Sequence, residues 1–499
     1  MSEFGGKRVT VMGLGRFGGG AGVARWLARQ GATVTVTDAA AAADLADSVR
    51  ALEGLPVTLK LGGHATADFT AADLVVASPA VPPGNEYLAA ARSAGVPVTT
   101  EIVLLVERLP TRLVFGVTGT KGKSTTAALL AKMLEAWRPL DPAQAAKVRG
   151  PRSKWIGLPR PGDRPPRHTG VPPVPAPIEQ VGDDPAARRS ARPWHGQDAR
   201  ATARRVWLGG NIGGSLLERL PEMSPSDFVV LELSSYMLHY LGERRWSPHV
   251  GVVTMVEADH VAWHGGVEAY HEAKRNIVRF QTTDDFAVVP SFSKTGRDFG
   301  KLTAGAVIEY GKRANLPEAF APKLLGRHNR LNERGAFAAA KLVGVYPDQA
   351  AEAVQDFTGL PHRLQLVRED ARGVRWVNDS IATIPEAAVA ACEAFPAGTV
   401  IQIVGGSDKG LPLEAMAATL AERCKAVLCI GQMGPAVARL VGEKAIDCSD
   451  LARAVANARE LAAAGDVVLL SPGFASYDQF KNFEERGDVF AQLAGRATD

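Results

Sequence analysis

Residues 114–126 read VFGVTGTKGKSTT, an apolar run ending in a glycine-rich turn with Lys, Ser and Thr directly behind it. Gly119 and Gly122 permit a tight backbone that turns amide hydrogens inward. Lys123 can reach the β- and γ-phosphates of a nucleotide, and Ser124 or Thr125 can offer a hydroxyl to Mg2+ where a helix begins. The strict P-loop spacing asks for Gly five positions before Gly122, where this chain has Val117. An ordinary strand-to-helix turn rarely carries Lys-Ser-Thr immediately after the glycine. The stretch from Gly119 through Thr120, Lys121, Gly122, Lys123 and Ser124 to Thr125 is therefore read as a phosphate cradle for a nucleoside triphosphate and its divalent cation.

Other chemistry-bearing residues stand where apolar runs end. Glu232 closes FVVLE, a place where a parallel strand opens onto a ligand crevice, and His260 follows VGVVTMVEAD beside Asp259. Lys274 lies 14 residues further on, on a helix expected to start near Val267. Asn211 sits in GGNIG, while Asn329 and Asn332 are spaced to share a helix face. Near the N-terminus, Gly13, Gly15 and Gly18 form a GxGxxG pattern after VTVM, with Asp38 ending the next run 20 residues on. That pattern alone is a dinucleotide fingerprint, and it makes an NAD-dependent oxidoreductase the rival reading. The rival leaves the phosphate cradle idle.

Positioning these residues is the work of short β-branched or Leu-rich runs that alternate with Ala-rich helical patterns: VTVMGLG, TVTVTD, LVVASP, LVFGVTG, FVVLELSS, VGVVTMV, TVIQIVGGSDK, AVLCIG and DVVLLSPG. Buried parallel strands followed by helices have this signature, so the fold class is doubly wound α/β. Three blocks are expected, at 1–109, 110–359 and 360–499. A length of 499 residues also implies several cores.

Residues 137–205 interrupt the second block. They carry 13 of the 32 prolines and a net charge of +8 against +4 for the whole chain, so the remainder is mildly acidic. Without apolar periodicity this insertion is read as a flexible, solvated, partly polyproline loop. Its basic charge raises a nucleic-acid-binding alternative, which the acidic remainder disfavours. Cys392, Cys424, Cys429 and Cys448 show no Cys-x-x-Cys spacing, which argues for buried thiols rather than a zinc site or disulfide framework. No apolar run approaches the length of a spanning helix and no hydrophobic signal segment opens the chain. The expectation is a cytoplasmic protein without membrane insertion.

In order along nearly the whole chain, apart from the insertion, the strings GTKGKST with its upstream VTG, GGNIG (209–213), VLELSSY (230–236), ADH (258–260), AK (273–274), GRHNRLN (326–332), LPHR (360–363), WVNDS (376–380) and LSPGFASYDQFKNF (470–483) resemble the Mur ligase superfamily. The resemblance implies a Rossmann-like N-terminal domain that grips the UDP of the substrate, a central P-loop ATPase domain and a C-terminal Rossmann-like domain. It implies a ligase that activates a carboxylate with ATP as an acyl phosphate, which an amine then attacks. The last string narrows the implied reaction to adding D-glutamate to UDP-N-acetylmuramoyl-L-alanine in peptidoglycan precursor synthesis. By the same resemblance, Lys123, Glu232, His260 and Lys274 are catalytic. Ser124 and Glu232 hold one Mg2+, His260 holds a second, and Lys274 is carbamylated to support the metals. Asn329 and Asn332 serve ATP from the adenine side, His362, Arg363 and Asp379 reach back to its phosphates and ribose, and the third domain closes as a lid. Gly15, Arg16, Asp38, Ser78 and Asn211 contact the UDP-sugar. Thr383, Lys409, Ser476, Tyr477 and Phe483 receive the amino acid, whose carboxylate wants a cation and hydroxyl donors. A monomer is implied.

The chain departs from the family's common pattern at four positions: Ile381 where Lys is usual, Met255 where Asn is common, Ala262 for a frequent Asp, and Lys121 for Asn. These departures leave open a variant ligase that adds L-glutamate. A folylpolyglutamate-type ligase would share the cradle but lack the 110 or so residues ahead of it. A degraded regulatory homologue is disfavoured because Lys123, Glu232, His260 and Lys274 are all present.

Overall fold

Runs such as VTVM and TVTVTD, rich in β-branched residues and buried by helices on both faces, become the parallel strands of three sheets. The first sheet contains β1 (Arg8–Met12), β2 (Thr33–Asp38), β3 (Val57–Leu61), β4 (Leu74–Ala77) and β5 (Val98–Thr100), in the order β3-β2-β1-β4-β5. The second contains β6 (Val114–Thr118), β7 (Val206–Gly210), β8 (Phe228–Glu232), β9 (Val250–Val253), β10 (Phe286–Pro290) and β11 (Ala306–Tyr310), in the order β11-β10-β9-β6-β8-β7. All pairings in these two sheets are parallel. The third contains β12 (Gln365–Glu369), β13 (Arg375–Asn378), β14 (Val400–Gly405), β15 (Cys424–Ile430), β16 (Ala445–Ser449) and β17 (Val467–Leu470), in the order β12-β13-β17-β14-β15-β16. There only β12 runs antiparallel, against β13.

This computed structural model describes residues 2–15, 19–138, 204–212, 214–257, 261–311, 324, 329–357, 359–408 and 410–495. Most of the insertion, and the site candidates Arg16, His260 and Lys409, lie outside the described residues. Two compact units result: Met1–Asn315 with Arg334–Ala350, which holds the first two sheets, and Leu316–Glu333 with Ala351–Asp499, which holds the third.

Strand order decides where ligands can enter. In an open parallel sheet the crevice lies beyond the carboxyl ends of neighbouring strands whose connections leave in opposite directions. Those pairs are β1 and β4 in the first sheet and β6 and β9 in the second. In the third they are β14, which continues outward to β15, and β17, which is followed by the helix Phe483–Gly495 packing toward β12 and β13.

The first two sheets share one core, in which Val9, Trp26 and Leu27 pack in the same cluster as Leu217 and Val229. In the second unit the central strands alternate strictly. Val400, Val404, Val467 and Leu469 fill one layer, and Ile401, Ile403, Val468 and Leu470 fill the other. The four cysteines are buried free thiols in these layers, as expected. Among the described residues no helix is long and apolar enough to cross a membrane.

Candidate active site

At the crevice of the second sheet the cradle is held open by hydrogen bonds. Gly119 (φ 154°) and Gly122 (φ 85°) take left-handed conformations that an L side chain resists, and Gly122 caps the helix Lys123–Glu135. The segment after β9 clamps the turn: Thr254 Oγ1 shares its one hydrogen between the carbonyls of Thr118 (3.0 Å) and Lys121 (2.7 Å), and Thr120 N–H donates to Met255 O at 2.6 Å. Since Met255 contributes its backbone, the unusual side chain there leaves this contact intact. Thr120 Oγ1 donates to Glu257 O (2.9 Å), accepts from Glu257 N–H (2.8 Å) and pairs with Tyr270 Oη (2.8 Å). Lys123 Nζ folds back to donate to Thr120 O at 2.9 Å, and Lys121 Nζ pairs with Glu257 at 3.1 Å.

Glu232 ends β8, in register with Val117 of β6, and is 1% exposed. Its Oε1 accepts from Asn211 Nδ2 at 3.2 Å, while Oε2 is buried with no hydrogen-bond partner among the described residues. A buried carboxylate oxygen left unpartnered is costly unless a cation or donor arrives. With the buried Ser124 hydroxyl at the start of the adjacent helix, hard oxygen ligands of this kind fit Mg2+. Among the described residues no group of three or more His, Cys, Asp or Glu forms a further metal cluster.

The helix Val267–Arg279 buries Tyr270, Ala273, Lys274 and Ile277, an i, i+3, i+4, i+7 stripe in which one position is a lysine. Lys274 is 2% exposed; its Nζ donates to Gly119 O at 2.8 Å and lies 4.7 Å from the centre of the Tyr270 ring. Tyr270 and Thr254, neither singled out by motif, thus brace the cradle from two sides. The i, i+4 spacing of Tyr270 to Lys274 was the available signal.

In the first sheet, Asp38 accepts from Gly15 N–H (3.1 Å) and Ala40 N–H (2.9 Å), which fixes the glycine loop against the end of β2. Ser78, whose amide donates to Met12 O at 2.8 Å, lines the other side of the switch point. Gly20, beyond the expected pattern, lets the helix Gly19–Arg29 start against the Gly13 and Leu14 carbonyls, since a Cβ there would collide with both.

In the second unit Asp379 and Thr383 follow β13, Ser476 and Tyr477 follow β17, and Phe483 opens the helix Phe483–Gly495. Asp379 is buried, accepting from Ser471 Oγ (2.7 Å) and Leu364 N–H (3.1 Å). Burial pushes its carboxyl up to about 7 against those hydrogen bonds and the Arg363 charge. His362 (φ 61°) and Leu364 (φ 41°) hold left-handed backbone on either side of Arg363, strain of the kind found at functional loops. Ile381 is 39% exposed, and its N–H donates to His362 O at 3.1 Å.

Arg486, which no motif indicated, ties these loops together. Only 1% exposed, it donates to Ser380 Oγ (2.9 Å), Ser380 O (2.9 Å) and Phe474 O (3.1 Å). Ser380 Oγ in turn donates to Phe483 O at 2.8 Å. Burial lowers the guanidinium to about 10, with Asp478 acting in the opposite direction. Elsewhere, Asn332 Nδ2 donates to Asn329 Oδ1 at 2.9 Å on the helix Asn329–Leu342.

Three family profiles match the chain in order: the MurD-like N-terminal domain of Mur ligases over residues 7–100, the Mur ligase middle domain over 214–335, and the glutamate ligase domain of Mur ligases over 362–474. The chain belongs to the Mur ligase family, whose members are ATP-dependent. It is 37% identical to the UDP-N-acetylmuramoylalanine--D-glutamate ligase of Roseiflexus sp. (strain RS-1), covering 98% of this chain and 99% of that protein. Its identity to the ligase of the same name from Anaeromyxobacter dehalogenans (strain 2CP-C) is also 37%, covering 99% of this chain and 98% of that protein. The fold is similar to that of the UDP-N-acetylmuramate-alanine ligase MurC of Thermotoga maritima, with a TM-score of 0.53 at 16% identity over 97% of this chain and 98% of the other.

Proposed function

We propose that the protein is an ATP-dependent ligase that joins D-glutamate to UDP-N-acetylmuramoyl-L-alanine. The observation that carries this reading is the phosphate cradle flanked by a buried carboxylate and a buried lysine, in a chain similar end to end to ligases named for that reaction. Those names speak for D-glutamate, and the L-glutamate variant is not favoured. The oxidoreductase reading leaves Lys123, Glu232 and Lys274 without a task.

In this reading the N–H groups of the cradle and the Lys123 ammonium receive the β- and γ-phosphates. Ser124 and Glu232 would hold Mg2+, with His260 assigned to a second ion; when bound, the cation would supply charge neutralisation at the phosphates. The γ-phosphoryl passes from ATP to the alanyl carboxylate. ADP leaves, the glutamate amine attacks the acyl phosphate carbon, and phosphate and a proton depart. Asn211, whose side chain reaches Glu232, orients the muramoyl end while Gly15, Arg16, Asp38 and Ser78 grip the UDP. Lys274, as a carbamate, would present an anion at the cradle. Asn329, Asn332, Arg363 and Asp379 serve ATP. Lys409, Thr383, Ser476, Tyr477 and Phe483 hold the glutamate. The enzyme works as a cytoplasmic monomer.

Phosphate release measured with UDP-N-acetylmuramoyl-L-alanine and ATP, with D-glutamate, L-glutamate or neither, with and without Mg2+, tests this. Release that requires D-glutamate and Mg2+ is expected. Equal release with L-glutamate would reinstate the variant, and no release with either would overturn the ligase assignment.

A further inference from the structure

The two grips assigned to the UDP-sugar stand on different sheets. Gly15, Asp38 and Ser78 follow strands of the first, whereas Asn211 follows β7 of the second. Their separation is therefore set by whatever joins the two layers. Four residues beyond Asn211, Ser215 packs against the helix that starts at the glycine loop: a Cβ on Gly22 would lie 2.8 Å from Ser215 Cβ and 3.4 Å from its Oγ. The carboxyl of Glu101, at the start of the helix Glu101–Val106, is hydrogen-bonded to Ser215. Its Oε2 would lie 3.8 Å from a Cβ on Gly19. Burial raises the Glu101 carboxyl above its ordinary range, against the hydrogen bond from Ser215. One and two turns further along, Arg25 (2.7 Å) and Arg29 (2.6 Å) both pair with Glu218, which ties the same helix to the short helix Leu217–Glu222 that follows Ser215. None of these contacts serves the phosphate cradle.

We propose that Gly22, Ser215 and Glu101 form a spacer contact that sets the distance between the uridine-diphosphate grip and the Asn211 grip. The spacer role rests on the ligase reading above and deepens it. Binding energy from the remote diphosphate end can assist the reacting carboxylate only if the two grips are held at the right spacing.

The test is Gly22→Ala, a change that by itself favours the helix but pushes on Ser215. KM for UDP-N-acetylmuramoyl-L-alanine is expected to rise about ten- to a hundred-fold, with KM for ATP changing less than about two-fold. In the double variant Gly22→Ala/Ser215→Gly, both atoms that the new methyl meets within 4 Å are gone but so is the hydroxyl that Glu101 holds, so KM should recover only part of the way, to within about ten-fold of the parent. Should Gly22→Ala fail to fold, Glu101→Ala is expected to raise the same KM selectively and Glu101→Gln, which keeps a hydrogen bond to Ser215, to restore it. An unchanged KM for the UDP-sugar, an equal rise in KM for ATP, or no rescue by the second substitution would overturn the spacer. An inactive parent enzyme would instead refute the ligase reading.

Discussion

Lys274 Nζ donates to the carbonyl of Gly119 at 2.8 Å, so a lysine on one helix is anchored to the turn that opens the phosphate cradle on another element. Lys274→Met keeps the stem volume but removes the nitrogen. It should lower kcat/KM by about 100-fold or more if the group acts at the transferring phosphoryl. Nuclear magnetic resonance with labelled bicarbonate should show a carbamate carbon in the parent and none in the variant. A fully active Lys274→Met would sink both roles.

Glu232→Gln preserves an acceptor for Asn211 Nδ2 while deleting the charge. The expected result is a Mg2+ requirement raised by about ten-fold or more, read from activity or MgADP binding across a Mg2+ titration, with little change in thermal stability. An unaltered Mg2+ dependence would place the cation elsewhere.

Asp379 yields a pH signature with a definite sign. Its folded carboxyl sits near 7 rather than at the ordinary 3.8, so between these values the native state keeps a proton that the unfolded chain has released. Stability falls as pH rises through that window and levels off above it. Asp379→Asn abolishes the titration, so the melting temperature of the variant minus that of the parent should grow from pH 5 to pH 8. A difference independent of pH would show that the carboxyl is ionised throughout.

Arg486 spreads its donors over Ser380 Oγ, Ser380 O and Phe474 O. Lysine cannot reproduce that fork. Arg486→Lys should cost about 2 to 3 kcal/mol in urea unfolding, since charged hydrogen bonds are lost in a buried place. KM for glutamate should rise more than KM for ATP. Equal effects on both would make the residue merely structural.

Much of this was legible in the sequence, for reasons that can be stated. The central strands β1, β6, β8, β9, β14 and β17 are buried on both faces and write themselves as continuous apolar runs. Edge strands such as β3 and β11, half-exposed along their length, carry VTLKL and AVIEY, which show no such run. Motif logic finds residues that touch a ligand, as with the cradle and Glu232. It does not find those that hold a loop's shape, because Thr254 and Tyr270 at the cradle, and Arg486 among the loops of the third sheet, act through contacts far apart in sequence. Lys274 is intermediate: its place in the buried stripe was readable from spacing, but its meeting with Gly119, 155 residues away, was not.

All four thiols of the chain, Cys392, Cys424, Cys429 and Cys448, lie inside the unit built on the third sheet, none at its surface. That distribution gives the molecule a natural chemical clock. A thiol-reactive dye mixed with the native enzyme can label it only when the C-terminal unit opens, so its uptake times the breathing of that unit alone, while the part that carries the phosphate cradle stays silent to the same reagent.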